Sequence, residues 1–159
     1  MKNANLKVLF LSLLLTLGGG SLIGYFIRDS IFIYETLNKP WFFPPPIIFP
    51  IVWAILYILM AVAAYIIYKE KALGKNIDGA LKLYLVQLIL NFLWAIIFFK
   101  FNLYGIAFIE LCILIIIVLI MTIKFFKINR IAGILLIPYL LWIIYAGILN
   151  FIIWTLNEM

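Results

Sequence analysis

The chain has 159 residues, of which 69% are hydrophobic and 18% aromatic, while 11% are charged, under half the charged share of about 25% in an ordinary soluble domain. A water-soluble fold of this size has no interior large enough for so much apolar surface, so the bilayer is the solvent that fits. The net charge of +6 would suit nucleic acid or an anionic membrane surface, and the placement of the cations decides between them.

Lys2 and Lys7 ahead of Val8–Leu17 have the outline of a secretory signal. No small-x-small site closes a short apolar stretch there, and the run continues through Leu22, Ile23, Tyr25 and Phe26 to membrane length, so residues 6–27 read as a retained first span. Charge-free stretches at Pro40–Tyr68, Leu83–Phe99 and Ile131–Asn157, and Phe101–Ile123 with Glu110 as its one charge, predict four more. Each is near or above the roughly 20 residues that a helix needs to cross. Barrel strands alternate apolar and polar residues, whereas Leu111–Ile120 is an unbroken aliphatic block. The expectation is an all-α membrane protein, one domain over 1–159, with helices at residues 47–68, 80–99, 103–123 and 131–157 after the first.

Lys2, Lys7, Lys69, Lys71, Lys75, Lys82, Lys124, Lys127 and Arg130 fall at the amino terminus and in the second and fourth connections, while Arg28, Lys39 and Lys100 fall on the other side. Nine against three is a positive-inside bias, which predicts a cytoplasmic amino terminus and an outward carboxy terminus bearing Glu158. Nucleic acid is therefore not an expected partner; the lipid bilayer is.

Absent residues exclude much chemistry. Without histidine there is no Ser-His-Asp triad and no His-based zinc site, and Cys112 alone can form neither an internal disulfide nor a thiolate cluster. Neither a metal nor an intrinsic cofactor is expected, and Cys112 reads as a small hydrophobe. Gly18, Gly19 and Gly20 lie inside the first span, and Gly20 with Gly24 has the spacing that lets another helix approach closely, within the bundle or between subunits.

The first connection, residues 28–46, is long and unusual. It holds Tyr34, Trp41, Phe42 and Phe43 among Pro40, Pro44, Pro45 and Pro46. Proline stiffens the backbone and removes donors, so the segment fits either a lid over the bundle mouth or an aromatic belt at headgroup level. Within the spans, Gln87, Asn91 and Trp94 share one helical face, as do Pro138, Trp142, Ala146 and Asn150, and Pro50, Trp53 and Tyr57. Such faces point inward, to bond one helix to another or to meet a ligand. Glu110 is the one carboxylate inside a span, suited either to a structural hydrogen bond or to a proton-coupled role.

These motifs together resemble the translocator protein family, also called tryptophan-rich sensory proteins or peripheral benzodiazepine receptors. Tyr34, Leu37, Lys39, Pro40, Pro44, Pro45 and Trp53 match its loop and second-helix signature. Gln87, Leu88, Leu90, Asn91, Trp94, Phe98 and Phe99 match the third-helix block, and Pro138, Tyr139, Trp142, Ala146, Leu149 and Asn150 the fifth. The resemblance implies a five-helix bundle, usually a homodimer, with a ligand cavity beneath the first loop, and a family that binds porphyrins such as protoporphyrin IX, sterols and flat synthetic ligands. Carried over by position, it implies that Trp53, Asn91, Trp94, Trp142, Ala146 and Leu149 line the pocket, with Tyr34, Pro44 and Pro45 in or under the lid. Glu110 stands where members commonly carry Asp, and Trp41 falls one place early. Phe151 occupies the tyrosine position of the sterol motif with no basic residue after Asn150, so a sterol is not expected.

The expected function is that of a membrane-embedded binding protein or sensor for porphyrins and related flat apolar ligands. Two alternatives stay open. One is light-dependent porphyrin breakdown, with Trp53 and Trp142 as the candidates to exchange electrons with an excited ring; the other is a carrier of small apolar solutes, passive or coupled to protons through Glu110. Abundant Ile, Lys and Asn suggest a low-GC microbe and hence a prokaryotic cell membrane.

Overall fold

A computed structural model describes the backbone of residues 2–158 and the side chains of residues 6–158, which leaves Lys2 of the predicted basic face outside the described side chains. Five long apolar helices make up the chain: α1, Leu6–Thr36; α2, Ile48–Leu73; α3, Asp78–Lys100; α4, Tyr104–Ile128; and α5, Arg130–Asn157. Their outward faces carry large apolar side chains such as Leu22, Ile89, Ile116 and Leu141. This is the surface a bilayer requires, since lipid is as apolar as those side chains. The protein is an integral membrane protein.

Local chemistry explains where the helices stop. α2 begins directly after Pro44-Pro45-Pro46 and carries Pro50 in its first turn, where a missing N–H loses no helical bond. It closes at Gly74, whose φ of 79° supplies the left-handed turn that favours glycine. A single residue joins α4 to α5. Asn129 is extended, and its Oδ1 accepts from the amides of Ile131 (3.0 Å) and Ala132 (3.3 Å), so one side chain ends one helix and starts the next. At the opposite end of the bundle, Glu158 accepts from the amides of Tyr104 and Gly105, both at 2.9 Å, which satisfies the start of α4 with a carboxylate where the helix dipole favours one.

The ends of α1, α2 and α4 differ from the sequence expectation, α2 running on from residue 68 to Leu73. α1 does not end near residue 27. After a 3-10 turn at Arg28–Ser30 it resumes as Ile31–Thr36 and stops only where Leu37 turns extended at ψ 144°. Arg28, Asp29 and Ser30 are polar without being helix breakers, and the first proline comes at Pro40. The expected loop of residues 28–46 is therefore shorter, residues 37–47, and Tyr34 belongs to a helix. Likewise α4 runs on to Ile128 because Asn129 caps the following helix, so most of the expected link at Lys124–Arg130 is helical.

The core runs along α4 and α5, where Leu111, Leu114, Val118, Met121, Leu136, Tyr139 and Ile143 are fully or almost fully buried with Met60 of α2. Gly105 and Gly133 let the indole of Trp154 and the ring of Phe126 lie against the backbone. By contrast α1 packs shallowly: 6% of its apolar window is buried, against 33–39% in the other four helices. Its Gly19 and Gly20 meet Phe92 of α3 and Tyr57 of α2, so the small-residue face is spent inside the bundle, while a Cβ placed on Gly24 would meet nothing within 4 Å among the described residues.

Candidate ligand cavity

Shallow packing of α1 leaves a cavity of about 670 Å³ between α1, α2 and α3. Leu17, Gly20, Ser21, Gly24 and Ile27 of α1 form one wall; Phe49, Trp53 and Tyr57 of α2 form the second; Asn91, Trp94 and Phe99 of α3 form the third. Pro45 and Pro46 roof it, with Tyr34 and Glu35 at the end of α1 beside them. The size falls within the range of roughly 300–1,000 Å³ of small-molecule sites.

Aromatic rings make the inner wall. Trp53 stacks on Tyr57 with centroids 5.5 Å apart and planes 28° from parallel, and reaches Trp94 at 6.4 Å and Tyr139 at 6.2 Å. The polar groups among them are already bonded to one another. Tyr57 donates to Asn91 Oδ1 at 2.9 Å, and Asn91 Nδ2 donates to the Tyr139 hydroxyl at 3.1 Å. That hydroxyl donates in turn to Gln87 Oε1 at 2.7 Å. Trp94 Nε1 donates to Asn150 Oδ1 at 3.0 Å, and Asn150 Nδ2 to the carbonyl of Tyr104 at 2.8 Å. The amide faces of α3 and α5 thus tie helices together, and what they leave toward the cavity is mainly flat apolar surface.

The roof is anchored at both ends. Asn38 donates its amide to Asn157 Oδ1 at 3.0 Å and receives Asn157 Nδ2 on its carbonyl at 3.1 Å, which clasps the loop to the end of α5. Lys39 donates to the carbonyls of Tyr34 (2.6 Å) and Glu35 (3.2 Å), closing the end of α1. Tyr34 reaches the carbonyl of Pro44 at 3.5 Å.

Residues 12–155 match the TspO/MBR family model. The chain belongs to the TspO/MBR family. It is 34% identical to the tryptophan-rich sensory protein of Cereibacter sphaeroides over 94% of this chain and 91% of that one. It is 36% identical to the tryptophan-rich protein TspO of Archaeoglobus fulgidus over 96% and 99%, and 34% identical to the translocator protein of Ovis aries over 88% and 84%. The family match spans every helix that walls the cavity.

In this TspO/MBR chain, the nine positions singled out for the ligand pocket divide into four groups. Tyr34, Pro45, Trp53, Asn91 and Trp94 line the large cavity. Pro44 sits above it, its carbonyl turned to Tyr34. Ala146 and Leu149 instead border a separate void of about 20 Å³, and Trp142 borders neither. The cause is an aromatic partition. Phe49 meets Tyr34 edge-on at 5.4 Å, Phe99 lies 6.5 Å from Tyr34 and 6.1 Å from Trp94, and together these rings close the space between the cavity and α5. Trp142 packs behind Phe49 at 6.1 Å and against Tyr145 at 5.5 Å, with a buried Nε1 that has no partner among the described residues.

Apart from Tyr34, residues of α1 were not singled out for the pocket, although Leu17, Gly20, Gly24, Ile27 and Ile31 recur at helical steps and all line the cavity. That recurrence was the available signal. Phe49, four before Trp53, was readable in the same way. Glu110 is not part of the site. Its carboxylate is buried in α4 with neither oxygen bonded, so the structural hydrogen bond considered for it is absent among the described residues.

Proposed function

We propose that this protein is a membrane-embedded binding protein, acting as a sensor, for a flat apolar ligand of the tetrapyrrole class such as protoporphyrin IX, held in the cavity beneath residues 37–47. The observation that carries the proposal is the wall of Trp53, Tyr57 and Trp94, whose ring faces offer stacking area while the Tyr57 hydroxyl and the Trp94 indole N–H are given to Asn91 and Asn150. Such a wall favours a broad planar guest over a hydrogen-bonded polar one. The porphyrin itself comes from the family resemblance. A homodimer rests on the same resemblance, since Gly19 and Gly20 are taken up inside the bundle. The bacterial and archaeal relatives support a prokaryotic cell membrane as its location, and the nine-to-three distribution of cations supports a cytoplasmic amino terminus.

Light-dependent porphyrin breakdown is the second reading, favoured by one observation. Trp53 lies on the cavity wall in ring contact with Trp94 and Tyr57, so an excited guest would have an indole beside it. Trp142, the other candidate, is behind the aromatic partition. Glu110 does not line the cavity, so the cavity's geometry gives the carrier reading no support.

The test is a dark titration of protoporphyrin IX into the detergent-solubilised protein, read by tryptophan quenching, followed by illumination of the saturated sample. Saturable binding that weakens in Trp53→Ala supports the site. Protein-dependent loss of porphyrin absorbance in light moves the function to catalysis, and the absence of saturable binding sinks the tetrapyrrole assignment.

A further inference from the structure

We infer that Ser21, on the α1 wall of the cavity, is a polar anchor for the guest: its hydroxyl donates to an acceptor oxygen on the ligand, so the site selects flat apolar molecules that carry a carbonyl or carboxyl group. The inference deepens the ligand-binding function above and rests on it.

The hydroxyls of the long helices share a habit that Ser21 breaks. Thr16 and Thr122 donate to the carbonyl one turn back, at 3.1 and 2.7 Å. Thr36 and Thr155 donate to the carbonyl three residues back, at 2.7 and 2.9 Å, and Ser12 crosses to the carbonyl of Ala61 at 3.0 Å. Each bond hides a polar group that hydrocarbon does not solvate. Ser21 makes none among the described residues, and it lines the cavity. Ser30 is unbonded too, but it ends the polar turn Arg28–Ser30, where water is at hand. Ser21 lies about 10 Å of helix rise inward of Arg28.

The surroundings leave that hydroxyl open. Gly20 beside it packs on the Tyr57 ring and brings this stretch of α1 up to the aromatic wall, whereas a Cβ on Gly24 would meet nothing within 4 Å among the described residues. Ser21 itself is exposed rather than covered by protein. Elsewhere on the wall Tyr57 donates to Asn91, Asn91 to Tyr139 and Trp94 to Asn150. The Trp53 N–H is the second open donor: it has no acceptor among the described residues and, unlike the N–H of Trp142, it is not sealed in the interior. An aromatic wall with open donors beside it suits a guest with an apolar plane and an acceptor at its edge. Protoporphyrin IX, a macrocycle with carboxyl groups on its rim, has that form, and a hydroxyl can donate to an ionised or a neutral carboxyl oxygen, more strongly to the ionised one.

The experiment titrates protoporphyrin IX dimethyl ester and etioporphyrin, a macrocycle with alkyl groups and no oxygen, into wild type and Ser21→Ala in darkness and in the same nonionic detergent. Alanine suits a helix interior, so the substitution leaves α1 intact. The deciding quantity is the ester-to-etioporphyrin affinity ratio, because the difference in partitioning between the two compounds cancels between the proteins. One neutral hydrogen bond corresponds to about a fivefold change in affinity. The ratio is therefore expected to fall about fivefold in Ser21→Ala with etioporphyrin binding unchanged, and protoporphyrin IX itself should weaken at least as much. A ratio that Ser21→Ala leaves unchanged, whether neither macrocycle weakens or both weaken equally, overturns the anchor. Acetylpyrene and ethylpyrene, a pair of similar size with and without a carbonyl, read the donor without the macrocycle. If neither porphyrin binds but acetylpyrene outbinds ethylpyrene in wild type and loses that advantage in Ser21→Ala, the tetrapyrrole assignment falls and the anchor stands. In that case pyrenes with the same ratio in both proteins, or no binding by any probe, overturn the anchor as well.

Discussion

Trp94 donates its indole N–H to the side-chain carbonyl of Asn150, 3.0 Å away, and thereby joins the cavity wall on α3 to the core on α5. Asn150 passes the bond on to the carbonyl of Tyr104, so three helices meet at one amide. Asn150→Leu would leave the Trp94 indole donor unpaired in the interior and remove a second bond from the Tyr104 carbonyl, and should cost about 1–2 kcal/mol. Thermal unfolding in detergent measures it. Trp94→Phe in the Asn150→Leu background should add far less than Trp94→Phe alone, since the bond is already gone.

Trp53→Ala removes one of the two indoles from the cavity wall without breaking a hydrogen bond among the described residues. Affinity for protoporphyrin IX should fall about thirtyfold, the equivalent of roughly 2 kcal/mol of buried aromatic surface. Trp142→Phe should leave equilibrium binding within about twofold, because the partition at Phe49 separates it from the guest and aromatic truncation keeps most of its packing. Equal losses in the two variants would mean that the partition opens when ligand binds.

Gly24 and Gly105 should respond in opposite ways to an added side chain. A Cβ at Gly105 would come within 2.6 Å of the Trp154 indole nitrogen, so Gly105→Ala should lower stability by about 1–3 kcal/mol through overpacking. Gly24 has open space before it. Gly24→Leu should therefore keep or raise the melting temperature while blocking the cavity, and a ligand titration alongside the melt separates the two effects.

Asn157→Ala cuts the clasp that holds the loop to α5. Two exposed hydrogen bonds are worth about 1 kcal/mol together, so ligand dissociation, followed by stopped-flow dilution, should quicken about fivefold while the midpoint of unfolding barely moves. Unchanged dissociation would show that the guest leaves by a route other than the roof.

Glu110 keeps a carboxylate inside α4 without a partner for either oxygen among the described residues. Replacement by Leu should stabilise the protein by about 1–3 kcal/mol, the penalty of an unsatisfied buried polar group, and leave porphyrin affinity unchanged. Loss of a vesicle transport activity in Glu110→Gln would instead assign the acid a carrier role.

The five helices were legible because a membrane span needs little beyond length and the absence of charge, and the Gln87, Asn91 and Trp94 face was legible because helical spacing alone aligns those residues. The extension of α1 through Thr36 was not. Arg28, Asp29 and Ser30 look like an interface and the aromatic loop begins beyond them, while the helix resumes on local backbone bonds that no periodicity announces. Nor could spacing reveal that Ala146 and Leu149 stand apart from Trp53. That depends on how the rings of Tyr34, Phe49 and Phe99 turn once three helices have met. The clasp of Asn38 with Asn157 joins residues 119 positions apart, a pairing visible only after folding.

The slight burial of α1 gives the cavity one wall held in place more by acyl chains than by protein. Lateral pressure and hydrocarbon thickness then act directly on that wall, since a mismatched helix tilts, and each change of tilt widens or narrows the slot facing Trp53. The same chain should therefore bind differently in thin and thick bilayers, with the membrane's own composition serving as a second input to whatever signal the guest provides.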